Sequence, residues 1–248
     1  MRKSISLFLL GALALLGGCG GGGTTSTATT PSTTLSGYVA DGYLQYATIF
    51  LDINGNYQLD EGEPSTTSGP GGYYRLTNLD PALLQYQVVV LARSGETYDL
   101  DDPGLPIAHS YLLCAPAGAA GFISPLSTMV QTRLQADPTL TLAQAIEQVR
   151  QELGLAVGAN PLADYISGGD TALHTMAQNM VALMMEMRAQ VMSEDGSTVD
   201  PLQYRAMLRT MNMYAAEMYQ NVSATTEQQT TFRETMRTRL QNSLMGQM

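Results

Sequence analysis

The sequence predicts an α+β chain: an antiparallel β-sandwich over residues 35–115, then an all-α helical bundle over 122–248. Three observations carry this. From Leu35 to Cys114 apolar residues alternate with polar ones in short runs, separated by Gly-, Pro- and Asp-rich turns. Near Phe122 the period changes to helical. From there, capping residues stand where helices must start: Ser124-Pro125, Thr141 with Gln144, Asp170 and Asp200-Pro201.

The first 18 residues read as a targeting leader. Arg2 and Lys3 form a positive start, and Leu7 to Leu16 an apolar run too short to span a bilayer. They lead to Leu16-Gly17-Gly18-Cys19, which resembles the lipobox of bacterial lipoproteins. That resemblance implies cleavage before Cys19, acylation (palmitate) of its thiol, and, with Gly20 after it, the outer membrane. Residues 19–34, the lipidated cysteine and a Gly/Thr/Ser tract with Pro31, form a linker with nothing to bury.

Removal of Arg2 and Lys3 leaves 10 basic against 22 acidic residues, moving the net charge from −10 to −12. A lysine-free acidic chain is a poor partner for nucleic acid or anionic lipid. Membrane contact therefore rests on the acyl chains. With Cys19 acylated, Cys114 has no disulfide partner. Its apolar setting, Tyr111-Leu112-Leu113-Cys114-Ala115, marks it as a small buried hydrophobe.

In the β half, strands are expected at Ser36–Ala40, Tyr43–Leu51, Tyr73–Leu76, Tyr86–Ala92, Thr97–Leu100 and Ile107–Cys114. Between the second and third lies Asp52-Ile53-Asn54-Gly55-Asn56-Tyr57-Gln58-Leu59-Asp60-Glu61-Gly62-Glu63. It puts oxygen side chains at positions 1, 3, 5, 9 and 12 of a twelve-residue calcium loop: Asp52, Asn54, Asn56, Asp60 and Glu63. Gln58 offers its carbonyl at position 7. Four carboxylates without a basic residue repel one another, and a hard cation such as calcium relieves them. The glycine stands at position 4 rather than 6, and strand residues precede the loop, so it is not an EF-hand.

Ser36-Gly37-Tyr38-Val39-Ala40-Asp41-Gly42, Ala47 to Asp52, Thr66-Thr67 and Gly72-Tyr73-Tyr74 together resemble carboxypeptidase-regulatory-like modules, over residues 35–93. The loop with Gly62-Glu63-Pro64 is similar to the calcium-binding B repeats of surface adhesins. The resemblance implies a prealbumin-like sandwich, rigidified by calcium and without catalysis.

In the helical half, apolar stripes run through Leu126–Leu134, Leu142–Leu153, Leu173–Val191, Tyr204–Met218 and Phe232–Leu240, with a short helix expected from Asn160-Pro161 to Ile166. Thirteen of fifteen methionines lie between Met176 and Met248. They fit a core stripe, or an adaptable groove for a partner. Alternatively Met176, Met180 and Met184 with His174 offer a thioether set for copper(I).

Catalytic equipment is sparse: no HExxH, no GxSxG, no lysine after the leader, and only His109 and His174 as imidazoles. His109 and Cys114, an odd offset apart, fall on opposite faces of a strand. Glu96, Asp99, Asp101 and Asp102 form a second acidic cluster, read as a solvated loop. Nine tyrosines from Tyr38 to Tyr111 suit strands, or a carbohydrate-binding face. The expectation is a non-enzymatic outer-membrane lipoprotein, with structural calcium and an unidentified envelope or surface protein as partner. Copper handling and carbohydrate binding are the alternatives.

Overall fold

The computed structural model of the chain describes residues 32–246. The expected leader, Cys19 and nearly all of the linker lie outside the described residues. Among the described residues the fold is mixed, with antiparallel sheets and six α-helices.

Nine strands come first: β1 (Thr33–Val39), β2 (Leu44–Gln45), β3 (Thr48–Asp52), β4 (Ser65–Thr67), β5 (Tyr73–Leu79), β6 (Gln87–Ala92), β7 (Tyr98–Asp99), β8 (Tyr111–Ala115) and β9 (Phe122–Ile123). Two 3-10 turns, Pro70–Gly72 and Pro81–Gln85, interleave with them. The main sheet is antiparallel in the order β4-β3-β6-β8, with Ile49 opposite Val90 and Val90 opposite Leu113. A second sheet runs β5-β1-β9, and β2 pairs with β7. β1 and β9 pair in parallel, Tyr38 opposite Phe122, which departs from the all-antiparallel expectation.

Every residue of β6 and β8 is buried, as in strands covered on both faces. The helices α1 (Pro125–Ala136), α2 (Leu142–Glu152), α3 (Thr171–Val191), α4 (Pro201–Met213), α5 (Ala215–Gln220) and α6 (Thr226–Met245) follow. Side chains of α1 and α4 also close the outer edge of β8. Thr128 Oγ1 accepts from the Cys114 N–H at 2.8 Å, and Ser127 Oγ donates to the Cys114 carbonyl at 2.6 Å. Tyr204 donates to the Leu112 carbonyl at 2.9 Å. An edge that would otherwise template another strand is thereby satisfied. Strand and helix residues share one continuous core, from Val39 to Leu244.

The caps read from sequence are in place. Ser124 and Thr141 form reciprocal capping boxes with Ser127 and Gln144, and Thr225 does so with Gln228. Asp170 and Asp200 accept first-turn N–H groups of α3 and α4. Four expectations are corrected. The strand Tyr43–Leu51 is broken at Tyr46, whose φ of 64° turns the chain between β2 and β3. Ile107–Ser110 is loop, so β8 begins at Tyr111. Asn160–Ile166 forms turns, because Asn160 and Asp164 each accept from an N–H two residues ahead. The Tyr204–Met218 stripe spans two helices, divided at Tyr214.

Candidate functional site

The acidic loop leaves β3 at Asp52 and returns to β4 at Ser65. Asp52 is 2% exposed, and its carboxylate organises the turn. Oδ1 accepts from the N–H groups of Gly55 and Asn56 at 2.8 and 3.1 Å, and Oδ2 from that of Tyr57 at 3.1 Å. Position 1 thus gathers the backbone of positions 4, 5 and 6. At the other end, Glu63 Oε1 accepts from the Ile53 N–H at 2.7 Å and Oε2 from the Asp60 N–H at 3.2 Å. Position 12 is thereby fixed beside position 2. Between them, the Asn54 and Asn56 amides donate to a single oxygen, Asp60 Oδ2, at 2.6 and 2.7 Å. The expected ligand side chains at positions 3, 5 and 9 converge on one point.

The sharp turn that calcium loops make with glycine at position 6 is made here by Tyr57, at φ 63°. A left-handed tyrosine costs about 1 kcal/mol, and the loop offsets this by burying the ring. Tyr57 is 1% exposed and meets the Tyr204 ring edge-to-face at 4.8 Å. Its hydroxyl donates to Gln135 Oε1 at 2.9 Å and accepts from Arg205 Nε at 3.1 Å. Burial pushes this phenol up to about 12.

The loop is also tied to the helices through Asp52. Gln87 Nε2 donates to Asp52 Oδ2 at 2.6 Å, and Gln87 Oε1 accepts from Gln131 and Gln135 of α1 at 2.8 and 3.0 Å. Arg205 of α4 donates to the Gly55 carbonyl at 2.6 Å. Sequence reasoning missed Gln87, Gln131, Gln135 and Arg205. Gln87 carried the one legible signal, an amide opening the apolar run Val88–Ala92.

Asn54 and Asn56 each use their Oδ1 on a single N–H, those of Asn56 and Gln58, so a lone pair on each stays available. Asp52 differs: four donors fill its roughly four acceptor sites, and coordination would require one to leave. Among the described residues no three His, Cys, Asp or Glu groups suffice to hold a metal ion. A hard cation here would depend on the Asn54 and Asn56 oxygens and the Gln58 carbonyl besides the carboxylates, a donor set that fits calcium. Partial burial, and behind it the charges of Asp52 and Asp60, raise the Glu63 carboxyl above its ordinary range.

The other candidates are dispersed. Cys114 is buried with its sulfur 4.0 Å from the Tyr204 hydroxyl, and burial pushes its thiol up. His109 faces Glu194 at 3.3 Å instead. Met176, Met180 and Met184 are buried in the core, while His174 stands 2.6 Å from Asp101 and stacks on Tyr165. In the second acidic cluster, Asp101 also receives the Gln178 amide, and Asp99 is raised by burial. Asp41, not among the candidates read from sequence, is buried beside them. Its carboxyl is pushed well up by burial and by the charge of Asp99. On the outer face, Tyr38 and Tyr73 are each 42% exposed, with rings 5.5 Å apart.

Among the described residues no helix is long and apolar enough to cross a membrane. Compared with protein-family models, curated proteins and solved structures, the chain matches none.

Proposed function

We propose that this chain is a non-enzymatic, lipid-anchored envelope protein whose Asp52–Glu63 loop takes one structural calcium ion. In this reading the strands form a prealbumin-like, carboxypeptidase-regulatory-like module, the helices form the face that meets an envelope or surface protein, and Cys19 carries the anchor in the outer membrane. One observation supports calcium above all: Asp52 gathers the N–H groups of Gly55, Asn56 and Tyr57 while Glu63 closes back on Ile53. That closure brings Glu63 back to Ile53, next to the loop's first position, as a loop wrapped around one ion requires. Asp52, Asn54, Asn56, Gln58, Asp60 and Glu63 would hold the ion, and the ion would neutralise the three carboxylates among them.

The test is calorimetric titration of calcium into the chain, beside the Asp52→Ala, Glu63→Ala double variant. One-site binding with a Kd between micromolar and millimolar, lost in the variant, is expected. Absence of heat in the wild-type chain, with no thermal shift, overturns the reading.

Carbohydrate binding is a second reading, favoured by the exposed pair Tyr38 and Tyr73 beside the opposed Ser36 and Arg75. Aromatic faces next to hydroxyl and guanidinium donors suit a pyranose. Glycan-dependent tyrosine fluorescence that disappears in Tyr38→Ala would support it.

A further inference from the structure

The outward face shared by β1 and β5 carries polar groups that the fold does not use. Alternation along the two strands turns Thr34, Ser36 and Tyr38 outward, together with Tyr73, Arg75 and Thr77. Pairing sets Tyr38 opposite Tyr73 and Ser36 opposite Arg75, so two rings and a guanidinium take neighbouring places on one surface. Arg75 is the unusual member. The chain holds 22 acidic against 12 basic residues, and its arginines find carboxylates readily. Arg133, Arg150, Arg188, Arg237 and Arg239 are all in ion pairs. Among the described residues Arg75 has no ion pair, no hydrogen bond and no ring beneath it. None of the outward residues around it is acidic. The carboxylates that follow the two strands are engaged elsewhere, Asp41 by the Tyr111 hydroxyl and Asp80 by the Ala82 N–H.

We infer that this face binds an acidic saccharide, a pyranose lying on Tyr38 and Tyr73 with its carboxylate on Arg75. This rests on the carbohydrate reading and goes beyond it in fixing the charge of the sugar. The two rings meet edge-to-face, at 64°, and each is 42% exposed, so a ring face stays open to the C–H groups of a pyranose. The guanidinium fork donates to both oxygens of a carboxylate, a match that a neutral sugar does not offer. Ser36, Thr34 and Thr77 add hydroxyls that pair with those of the sugar. Tyr73 and Arg75, two residues apart on one strand, stand about 7 Å apart. A pyranose with a carboxylate on its ring covers that span. Tyr43 continues the row of rings 6.0 Å from Tyr38, giving a second sugar unit a place to lie. An acidic peptide would use the charge without needing the open rings, and the substitutions below separate the two.

The test uses the full chain, titrated calorimetrically in calcium-free buffer so that pairing of uronate with calcium does not enter. The probes are galacturonate, glucuronate and mannuronate trisaccharides, their neutral methyl esters, and hexaglutamate. Arg75→Gln and Tyr38→Ala change exposed residues, and melting curves verify that both variants fold. At least one trisaccharide should bind about tenfold more tightly than its ester. Arg75→Gln should bring acid and ester to equal affinity, and Tyr38→Ala should weaken both. Equal binding of acid and ester by the wild-type chain overturns the charge assignment and leaves the carbohydrate reading standing. A preference for the acid that persists in Arg75→Gln overturns the role of this face. Hexaglutamate bound as tightly as the uronates, and indifferent to Tyr38→Ala, overturns the saccharide in favour of an acidic peptide. No binding of any uronate or ester by the wild-type chain overturns both readings.

Discussion

The hydroxyl of Tyr111 donates to Asp41 Oδ1 across 2.8 Å, and both residues are buried between the strands and the segment around Tyr165. Burial first, then the nearby charges of Asp99 and Asp101, raise the Asp41 carboxyl well above its usual range. The folded chain thus holds this proton more tightly than the unfolded chain, where aspartate titrates near ~3.9. The resulting stability is present in full below that value and is lost as pH rises through the raised folded value. Asn keeps an oxygen for Tyr111 but carries no charge. Asp41→Asn should therefore melt about 3 °C above wild type near pH 8, with the gap closing at about pH 3.5. Paired melting curves across that range check this, and a gap independent of pH would refute it.

A second prediction concerns the close approach of β1 to the chain entering β9. A Cβ on Gly37 would stand 2.5 Å from the carbonyl oxygens of Ala120 and Gly121, which are backbone and cannot swing aside. The Tyr38 N–H bonds to that same Gly121 carbonyl at 3.0 Å. Gly37→Ala should cost about 2–3 kcal/mol in urea unfolding, as overpacking at a rigid site does. A Cβ on Gly121 meets nothing within 4 Å, so Gly121→Ala is the control and should change stability little.

The amide of Gln87 is the hinge of a buried polar chain, donating to Asp52 and accepting from Gln131 and Gln135. Gln87→Leu keeps the volume but strands two amide donors and removes one donor from a buried carboxylate. A loss of about 2 kcal/mol is expected from denaturant midpoints. Gln87→Glu should be worse, because it places a second carboxylate against Asp52.

What sequence reading recovered follows from range. The caps at Ser124, Thr141, Asp170 and Asp200 are interactions within four residues. The breaks were harder to read. Nothing local demands a left-handed Tyr46, whose N–H and carbonyl bind Ser68 and Thr97 from elsewhere. Asn160-Pro161 has the form of a helix start, yet Asp164 binds the N–H groups of Ile166 and Ser167 and closes a turn instead. The loop's attachment to Arg205 spans 150 positions, and no periodicity announces it. Tyr57 is the most instructive residue. Its place at position 6 looked like a defect in the calcium pattern, and its burial against Tyr204 supplies the physical reason for a side chain there.

The anchor is the last prediction. Ten apolar residues from Leu7 to Leu16 amount to about 15 Å of helical rise against a ~30 Å hydrocarbon layer, too short for the proposed leader to hold the protein in a bilayer by spanning it. The acidic chain beyond it offers no basic cluster to grip anionic headgroups. Attachment should therefore depend on Cys19 and on more than one acyl chain, since a single chain binds only marginally. Metabolic labelling with palmitate should mark the wild-type protein and leave Cys19→Ser unlabelled. Cys19→Ser should also move from the membrane fraction to the soluble fraction without loss of folded structure. A Cys19→Ser protein that stays with the membrane would show that something other than the lipid holds it, and would direct attention to a protein partner of the helices.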